Sequence, residues 1–478
     1  MIGIELKNKQ ILLFTASRYI SYSLLFVRGI LIANVLGPYL FGIWGFLTLS
    51  LQYLTYTSLG IEYATTVELS TSGDIPSQDF DRIASGAVTA SLIIAIILGL
   101  IGILLRVADI SLIEKYDFSN YIFEIGIITG LTHLQQVFTN IYRVKKRLAK
   151  IAIIELVNAF VLLIIALTFN GEELINALLV GMIVSGLISL LIYLYKPPFK
   201  MSLVMDKEII KNLLLVGVPL LIYNVSFFLI AVSARTILSI FYSVETMGYY
   251  TLANSITTAT LLGLRSIVWV IFPIILSRTH SGIEDGEAKK TVDNITTLYS
   301  TSVFFVVFLL ILILPILFLI VPEYQPAVNA VIFLLLAQAV LSASFGYNSV
   351  AIARRKQNQV AMISIFSVIV VIIFSLIVSY KQWAFEWVAV AVLFGSIVYT
   401  ILQARLGSAI LNTGKFGFTQ IDSMVSVGTI LALICFIVGT ISNQIMVFGL
   451  LGLILFIYFN WEKLKYILSF ALNRLGVQ

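Results

Sequence analysis

Residues 17–46, SRYISYSLLFVRGILIANVLGPYLFGIWGF, set two arginines, Arg18 and Arg28, inside a stretch that is otherwise apolar enough to cross a membrane and that runs into a tight turn. An arginine at the centre of a bilayer costs at least about 2.5–3.5 kcal/mol, and such residues face a protein interior or a watery cavity rather than lipid. Two of them within eleven residues therefore need a reason that the rest of the chain must supply.

Working outward from that stretch, the chain is 60% hydrophobic and 11% charged, and apolar runs of membrane-spanning length recur from end to end. A water-soluble domain of 478 residues has no interior large enough to hide them, so the sequence predicts an all-α, polytopic integral membrane protein. The opening MIGIELKNKQ leads into a long span with no small-residue cleavage site, which predicts a retained first helix. Cys435 is the single cysteine, which excludes an internal disulfide and argues against a thiolate metal site.

At about 20 apolar residues per crossing, some fourteen spans are expected, near 11–36, 40–68, 84–106, 121–142, 149–169, 174–195, 208–241, 246–277, 296–320, 327–352, 359–379, 385–404, 421–441 and 444–460. With a cytoplasmic N-terminus, the inner segments collect RVKKRLAK (143–150), ARRKQN (353–358) and most other basic residues. The outer segments hold Arg106, Lys115 and Lys381 alone. One missed span would invert every later loop, so this bias supports the count and places both termini in the cytoplasm, at the inner or plasma membrane of the cell. The net charge of +6 follows from topology, with basic loops against anionic headgroups, and implies no nucleic-acid partner.

Of the thirty basic residues, four remain inside spans: Arg18, Arg28, Arg235 and Arg265. Arg28 and Arg235 lie close enough to the outer turn for a long side chain to snorkel, whereas Arg265 is deeper. On a helical wheel Ser17, Ser21 and Arg28 fall within about 40° of one another, with Arg18 and Tyr22 on the adjoining arc. A polar stripe of this kind fits a hydrated lumen and does not fit lipid.

The stretch also repeats. VRGILIANVLGPYLFGIWGFLTLS from Val27 aligns with ARTILSIFYSVETMGYYTLANSI from Ala234 across one gap, which pairs Arg28 with Arg235 and Gly42 with Gly248. Six spans per half, running in the same direction, would be related by an axis along the membrane normal, with both arginines facing a shared cleft.

Three segments, IANVLGPYLFGIWGFLTLS (32–50), TMGYYTLANSITTATLLGLRSIVWVIFPIILSRT (246–279) and LPILFLIVPEYQPAVNAVIFLLLAQ (314–338), resemble polysaccharide-type (Wzx-like) flippases of lipid-linked oligosaccharides. These belong to the superfamily of lipid II flippases and multidrug and toxin extruders. The resemblance implies two six-helix lobes related by pseudo-twofold symmetry around a V-shaped cavity. The lobes would comprise residues 1–200 and 201–417, with two further spans and an interfacial tail in 418–478. It also implies a substrate, a polyprenyl-diphosphate oligosaccharide moved to the outer leaflet by alternating access. Membrane lipids and glycan polymerase or ligase proteins, as in O-antigen assembly, would be its partners. Many polysaccharide flippases have twelve spans, so the last two are a departure. Cavity arginines of lipid II flippases come from the first, second and eighth spans. Arg18 and Arg28 match the first and Arg265 the eighth, while the second span here has none.

Guanidinium groups suit a diphosphate because they stay ionised and bind it through paired, charge-assisted hydrogen bonds. Arg18, Arg28, Arg235 and Arg265 are therefore the candidate diphosphate site. Glu62 fits a proton or sodium coupling site, a counter-ion for an arginine, or a solvated residue near the inner face. No other cofactor is expected. His133, beside Gln135 and Gln136, reads as a satisfied core group in preference to a proton relay. Tyr22 and Tyr223 are candidate glycan contacts, against the ordinary role of tyrosines as packing and interfacial anchors.

A multidrug exporter would share the architecture, but a cation exporter calls for acids in its cavity, and arginine dominates inside these spans. A membrane glycan polymerase or ligase needs a sizeable outer loop, and the longest here is short, with Asp109, Glu114 and Asp117. No P-loop, zinc cluster or nucleophile constellation appears, so no enzymatic activity is expected. The closing WEKLKYILSFALNR reads as an interfacial helix.

Overall fold

The computed structural model describes residues 9–71, 77–108, 113–203, 205–279, 284–411 and 422–475. Within these ranges the side chains of 9–16, Arg18, Thr71, Ser77, 261–278, Leu468 and 470–475 are not described. The described residues are helical with short connections: α1 (Lys9–Leu54), α2 (Ile61–Thr71), α3 (Ser77–Val107), α4 (Ile122–Val144), α5 (Leu148–Thr168), α6 (Gly171–Leu194), α7 (Lys207–Phe241) and α8 (Val244–Thr279). There follow α9 (Asp285–Ile320), α10 (Val328–Ala343), α11 (Phe345–Ala353), α12 (Gln357–Tyr380), α13 (Glu386–Ile410), α14 (Val427–Ile441) and α15 (Ile445–Leu475). Ten described helical segments are long and apolar enough to cross a membrane by themselves. The chain is an all-α, multi-pass membrane protein.

The fourteen expected spans map onto these helices, with four differences of detail. The first two spans form one continuous assignment, α1, divided by a kink at Gly37 (φ 64°, ψ 172°). Positive φ selects glycine there, and Pro38 both disfavours helical geometry in the residue before it and supplies a first-turn residue that needs no N–H partner. The second span is broken again before α2, where Thr55–Ser58 form a 3-10 turn and Leu59 and Gly60 take φ 55° and 76°. The tenth span is divided at Ser344 into α10 and α11. At the end of the chain, α15 continues past the expected boundary and bends at Asn460 (φ −111°, ψ 17°).

The chain forms two compact units. The first comprises residues 1–225 and Ser243–Thr251, and the second Ser226–Tyr242 and residues 252–478. In the first unit α1 packs on α5 and α6, and α4 packs on α2, α3 and α6. Its core holds Phe138, Tyr142 and Tyr193; the Tyr142 hydroxyl donates to the Tyr193 carbonyl (2.5 Å), and the Phe138 and Tyr193 rings stack with centroids 5.5 Å apart. Arg82 is ion-paired with Asp206, whose carboxylate also accepts the Glu208 N–H (2.9 Å) and so caps α7.

The same unit contains a close helix crossing, in which α1 beyond its kink meets the first turns of α8. A Cβ on Gly42 would lie inside 3.0 Å of the Val244 carbonyl, and one on Gly248 inside 3.0 Å of the Pro38 carbonyl. A Cβ on Gly45 would collide with the Thr251 hydroxyl. Each of the first two glycines thus meets the residue four places before the other, and the crossing is built backbone to backbone. Gly42 and Gly248 are the pair that the internal alignment makes equivalent.

In the second unit α13 packs on α10, α11 and α12, and α9 packs on α15. Phe308 of α9 stacks on Phe436 of α14 (4.6 Å) and meets Phe456 of α15 edge-on (5.2 Å). Ser426 caps α14 at the Thr429 N–H (3.2 Å) and donates to Asn460 at the bend of α15 (2.8 Å). Arg354 is paired with Asp285 (3.0 Å) and donates to the Thr279 carbonyl (2.8 Å).

Candidate functional site

The break between α1 and α2 decides the polar chemistry of the first unit. A helix that stops and restarts leaves backbone groups unpaired, and polar neighbours must serve them. The Gly60 N–H meets the Ser58 hydroxyl (3.3 Å), and the Gly60 carbonyl accepts from Tyr63 and Ala64 as α2 begins. Glu62 follows in the first turn, only 5% exposed.

Helix α4 lies along this break with a polar stripe at helical spacing: His133, Gln136, Asn140 and Arg143. His133 Nε2 lies 3.0 Å from the Thr57 hydroxyl, Asn140 donates to the Glu62 carbonyl (2.9 Å), and Arg143 donates to the Thr66 hydroxyl (3.4 Å). Glu62 Oε2, His133 Nδ1 and Gln136 Oε1 are buried and have no hydrogen-bond partner among the described residues. A buried polar atom left unserved costs about 1–3 kcal/mol, so this ladder keeps acceptors and a titratable ring open inside an apolar lobe. His133 is buried, with Nε2 at the Thr57 hydroxyl and Nδ1 without a partner among the described residues.

The remaining predicted residues are distributed as follows. Arg18, Tyr22 and Arg28 all lie on α1 before the kink, with Tyr22 and Arg28 half-buried and the Arg18 side chain outside the described residues. Tyr223, half-buried, lies on the part of α7 that belongs to the first unit. Arg235, on the remainder of α7, is 3% exposed within the second unit. Arg265 lies on α8 in the second unit, its side chain outside the described residues. The α4 ladder is what sequence reasoning missed, and its signal was available: His133, Gln136, Asn140 and Arg143 recur at helical spacing along one face of the helix.

No group of three or more His, Cys, Asp and Glu able to hold a metal occurs among the described residues. Comparison with known structures finds the same fold in the lipid II flippase MurJ in an inward closed conformation, at 12% identity and a TM-score of 0.67, over 94% of this chain and 99% of that one. An outward-facing multidrug resistance MATE transporter of the MOP superfamily matches at 15% identity and a TM-score of 0.59, over 85% and 96%. A MOP superfamily transporter from Pyrococcus furiosus matches at 15% identity and a TM-score of 0.53, over 85% and 96%. No curated protein matches by sequence. The family described as polysaccharide biosynthesis protein matches residues 8–280, more than half of the sequence. With the fold and this match together, the chain belongs to the polysaccharide biosynthesis protein family.

Proposed function

We propose that this protein is a transporter, not an enzyme, that flips a polyprenyl-diphosphate-linked oligosaccharide from the cytoplasmic to the outer leaflet by alternating access. The observation that carries the proposal is a likeness of fold that takes in almost the whole of this chain and of a lipid II flippase, against 84–85% of this chain for the MATE structures. The proposed lobes are residues 1–200 and 201–417, with 418–478 as the additional helices.

Arg18, Arg28, Arg235 and Arg265 hold the diphosphate in this reading. A lipid-linked glycan presents two charged phosphates and a hydrated glycan that must be sheltered from lipid, while its tail can stay in the bilayer. Four guanidinium groups supply fixed positive charge at low dielectric, where charge-assisted bonds are strongest. Tyr22 and Tyr223 contact sugars, and Glu62 exchanges a proton or sodium ion or balances an arginine. The protein lies in the inner or plasma membrane with both termini cytoplasmic, and hands its product to glycan polymerase or ligase proteins.

The test is native mass spectrometry of the gently solubilised protein from its own cells, wild type beside Arg265→Ala. A polyprenyl diphosphate glycan bound to wild type and lost from the variant supports the proposal. A wild type that carries bulk phospholipid only, or a glycolipid held equally by the variant, overturns the diphosphate site. Multidrug export, favoured by the MATE likeness, is then the next reading to test.

A further inference from the structure

Three connections of the second unit meet around a cavity of about 540 Å³: the 3-10 turn Pro322–Ala327, the entry to α13, and the turn between α14 and α15. Gln325, Asn329, Glu386, Thr440 and Asn443 supply its polar lining, and Phe385 lines it with other apolar groups. The side chains of Gln325, Asn329, Glu386 and Asn443 make no hydrogen bond or ion pair with other described residues. Two backbone features shape the wall. Asn443 turns the chain at φ 54°, and at Gly439 a Cβ would come within 2.8 Å of Phe448.

The lining selects its ligand by chemistry. No described lysine or arginine lines the cavity, so nothing there would compensate a phosphate. Three carboxamides and a carboxylate offer donors and acceptors side by side, the pattern that adjacent hydroxyls require, and an aromatic ring offers an apolar surface to the C–H face of a pyranose. The volume falls in the range of small-molecule sites, which combine an apolar wall with a few placed polar groups. The three connections are distant in sequence and assigned to the same side of the membrane by charge, and the cavity requires them to share one end of the unit.

We propose that this cavity is a saccharide-binding subsite that receives a sugar unit of the exported glycan at the outer face, beside α14 and α15. The inference rests on the flippase reading for its outer placement and for the origin of the sugar. The carboxylate admits one competing occupant, the ammonium headgroup of phosphatidylethanolamine, which the test separates.

The full-length protein in phosphatidylcholine nanodiscs is titrated with N-acetylglucosamine, and with free oligosaccharide released by mild acid from the lipid extract of its own cells. Trp383 and Trp387, packed 6.1 Å apart on either side of Phe385 and Glu386, provide the fluorescence readout. The wild type should respond saturably to at least one saccharide, and Asn329→Ala and Glu386→Ala should each raise the midpoint about tenfold. Asn443→Gly should do the same while keeping the left-handed turn, which guards against a loss that only reflects misfolding. No saturable response, a response that all three variants retain, or a response to phosphatidylethanolamine in the nanodisc and not to saccharide would each overturn the proposal. A wild type that co-purifies with a polyprenyl diphosphate glycan but ignores free saccharide loses the subsite and keeps the flippase reading. Saccharide binding without that lipid does the reverse.

Discussion

Replacing Gly248 with alanine tests the backbone crossing of α1 and α8 in quantitative terms. The new Cβ would sit inside 3.0 Å of the Pro38 carbonyl oxygen and 3.2 Å from the Gly42 nitrogen, so a backbone must move. Restoring ordinary contact parts the helices by roughly 1 Å, and a gap of that size already forfeits about a quarter to a half of each dispersion contact around it. Overpacking of this kind costs about 1–3 kcal/mol, offset by the roughly 0.5–1 kcal/mol that alanine gains over glycine within a helix. Gly29→Ala on α1 is the matched control, because nothing lies within 4 Å of its added Cβ and only the helical gain remains. Equilibrium unfolding by SDS titration, followed by tryptophan fluorescence, should therefore place Gly248→Ala about 1–3 kcal/mol below Gly29→Ala. If the two variants are equally stable, or Gly248→Ala is the more stable, the crossing is not close-packed and the reasoning fails.

Other outcomes follow from the same geometry. Arg265→Ala should lower flipping of a fluorescent lipid diphosphate glycan in proteoliposomes by at least about tenfold, the size of one lost charge-assisted bond, with Arg265→Lys recovering part of it; near-normal flux removes Arg265 from the site. Glu62→Gln, which keeps the size of the side chain, should abolish stimulation of transport by an imposed proton or sodium gradient, and full retention of that stimulation would leave Glu62 a structural role. Asn140→Leu should destabilise the first unit by about 0.5–1.5 kcal/mol, because the Glu62 carbonyl loses the Asn140 bond and keeps the one from the Thr66 hydroxyl; SDS unfolding measures this, and no change would mean that the contact is dispensable. The hydrogen bond from Arg82 holds the Asp206 carboxyl below its usual range. Its contribution is therefore complete above the unfolded carboxylate pKa and is lost as the pH falls through the lower folded value. Thermal unfolding of Arg82→Ala and wild type should differ slightly at neutral pH and converge in strong acid, and a gap that widens in acid would contradict this sign.

The spans were legible in the sequence because bilayer thickness fixes their length and basic residues fix their direction, neither of which depends on tertiary contacts. The kink at Gly37 was legible as a turn because Gly-Pro is a strong local stop. The break at Leu59 was not, since TYTSLG holds one glycine and no proline within an apolar run, and a leucine takes the left-handed geometry there. Glu62 stood out as an acid within the second span, yet its burial depends on α4 covering the break, a contact between residues far apart in the chain. His133 was read beside its sequence neighbours Gln135 and Gln136, whereas helical spacing groups it with Gln136, Asn140 and Arg143. The cavity of the second unit could not be read from the sequence, because three connections far apart in the chain contribute to it. Arg28 and Arg235 were singled out by subtraction, once topology had accounted for most other basic residues. Their burial differs, with Arg28 half-buried and Arg235 3% exposed.

The contact of Gly45 with Thr251 bears on how a chain with two aligned stretches can depart from symmetry. In the register that pairs Gly42 with Gly248, these two are also equivalent, so each touches its own counterpart. Two identical subunits meeting at such a point would face a choice between two bulky copies that clash and two small copies that leave a void. A single fused chain escapes that choice, because its halves mutate independently: one surrenders the side chain and the other fills the room. Exchanging the pair, with threonine at 45 and glycine at 251, should conserve both volume and fold, whereas threonine at both positions should not assemble.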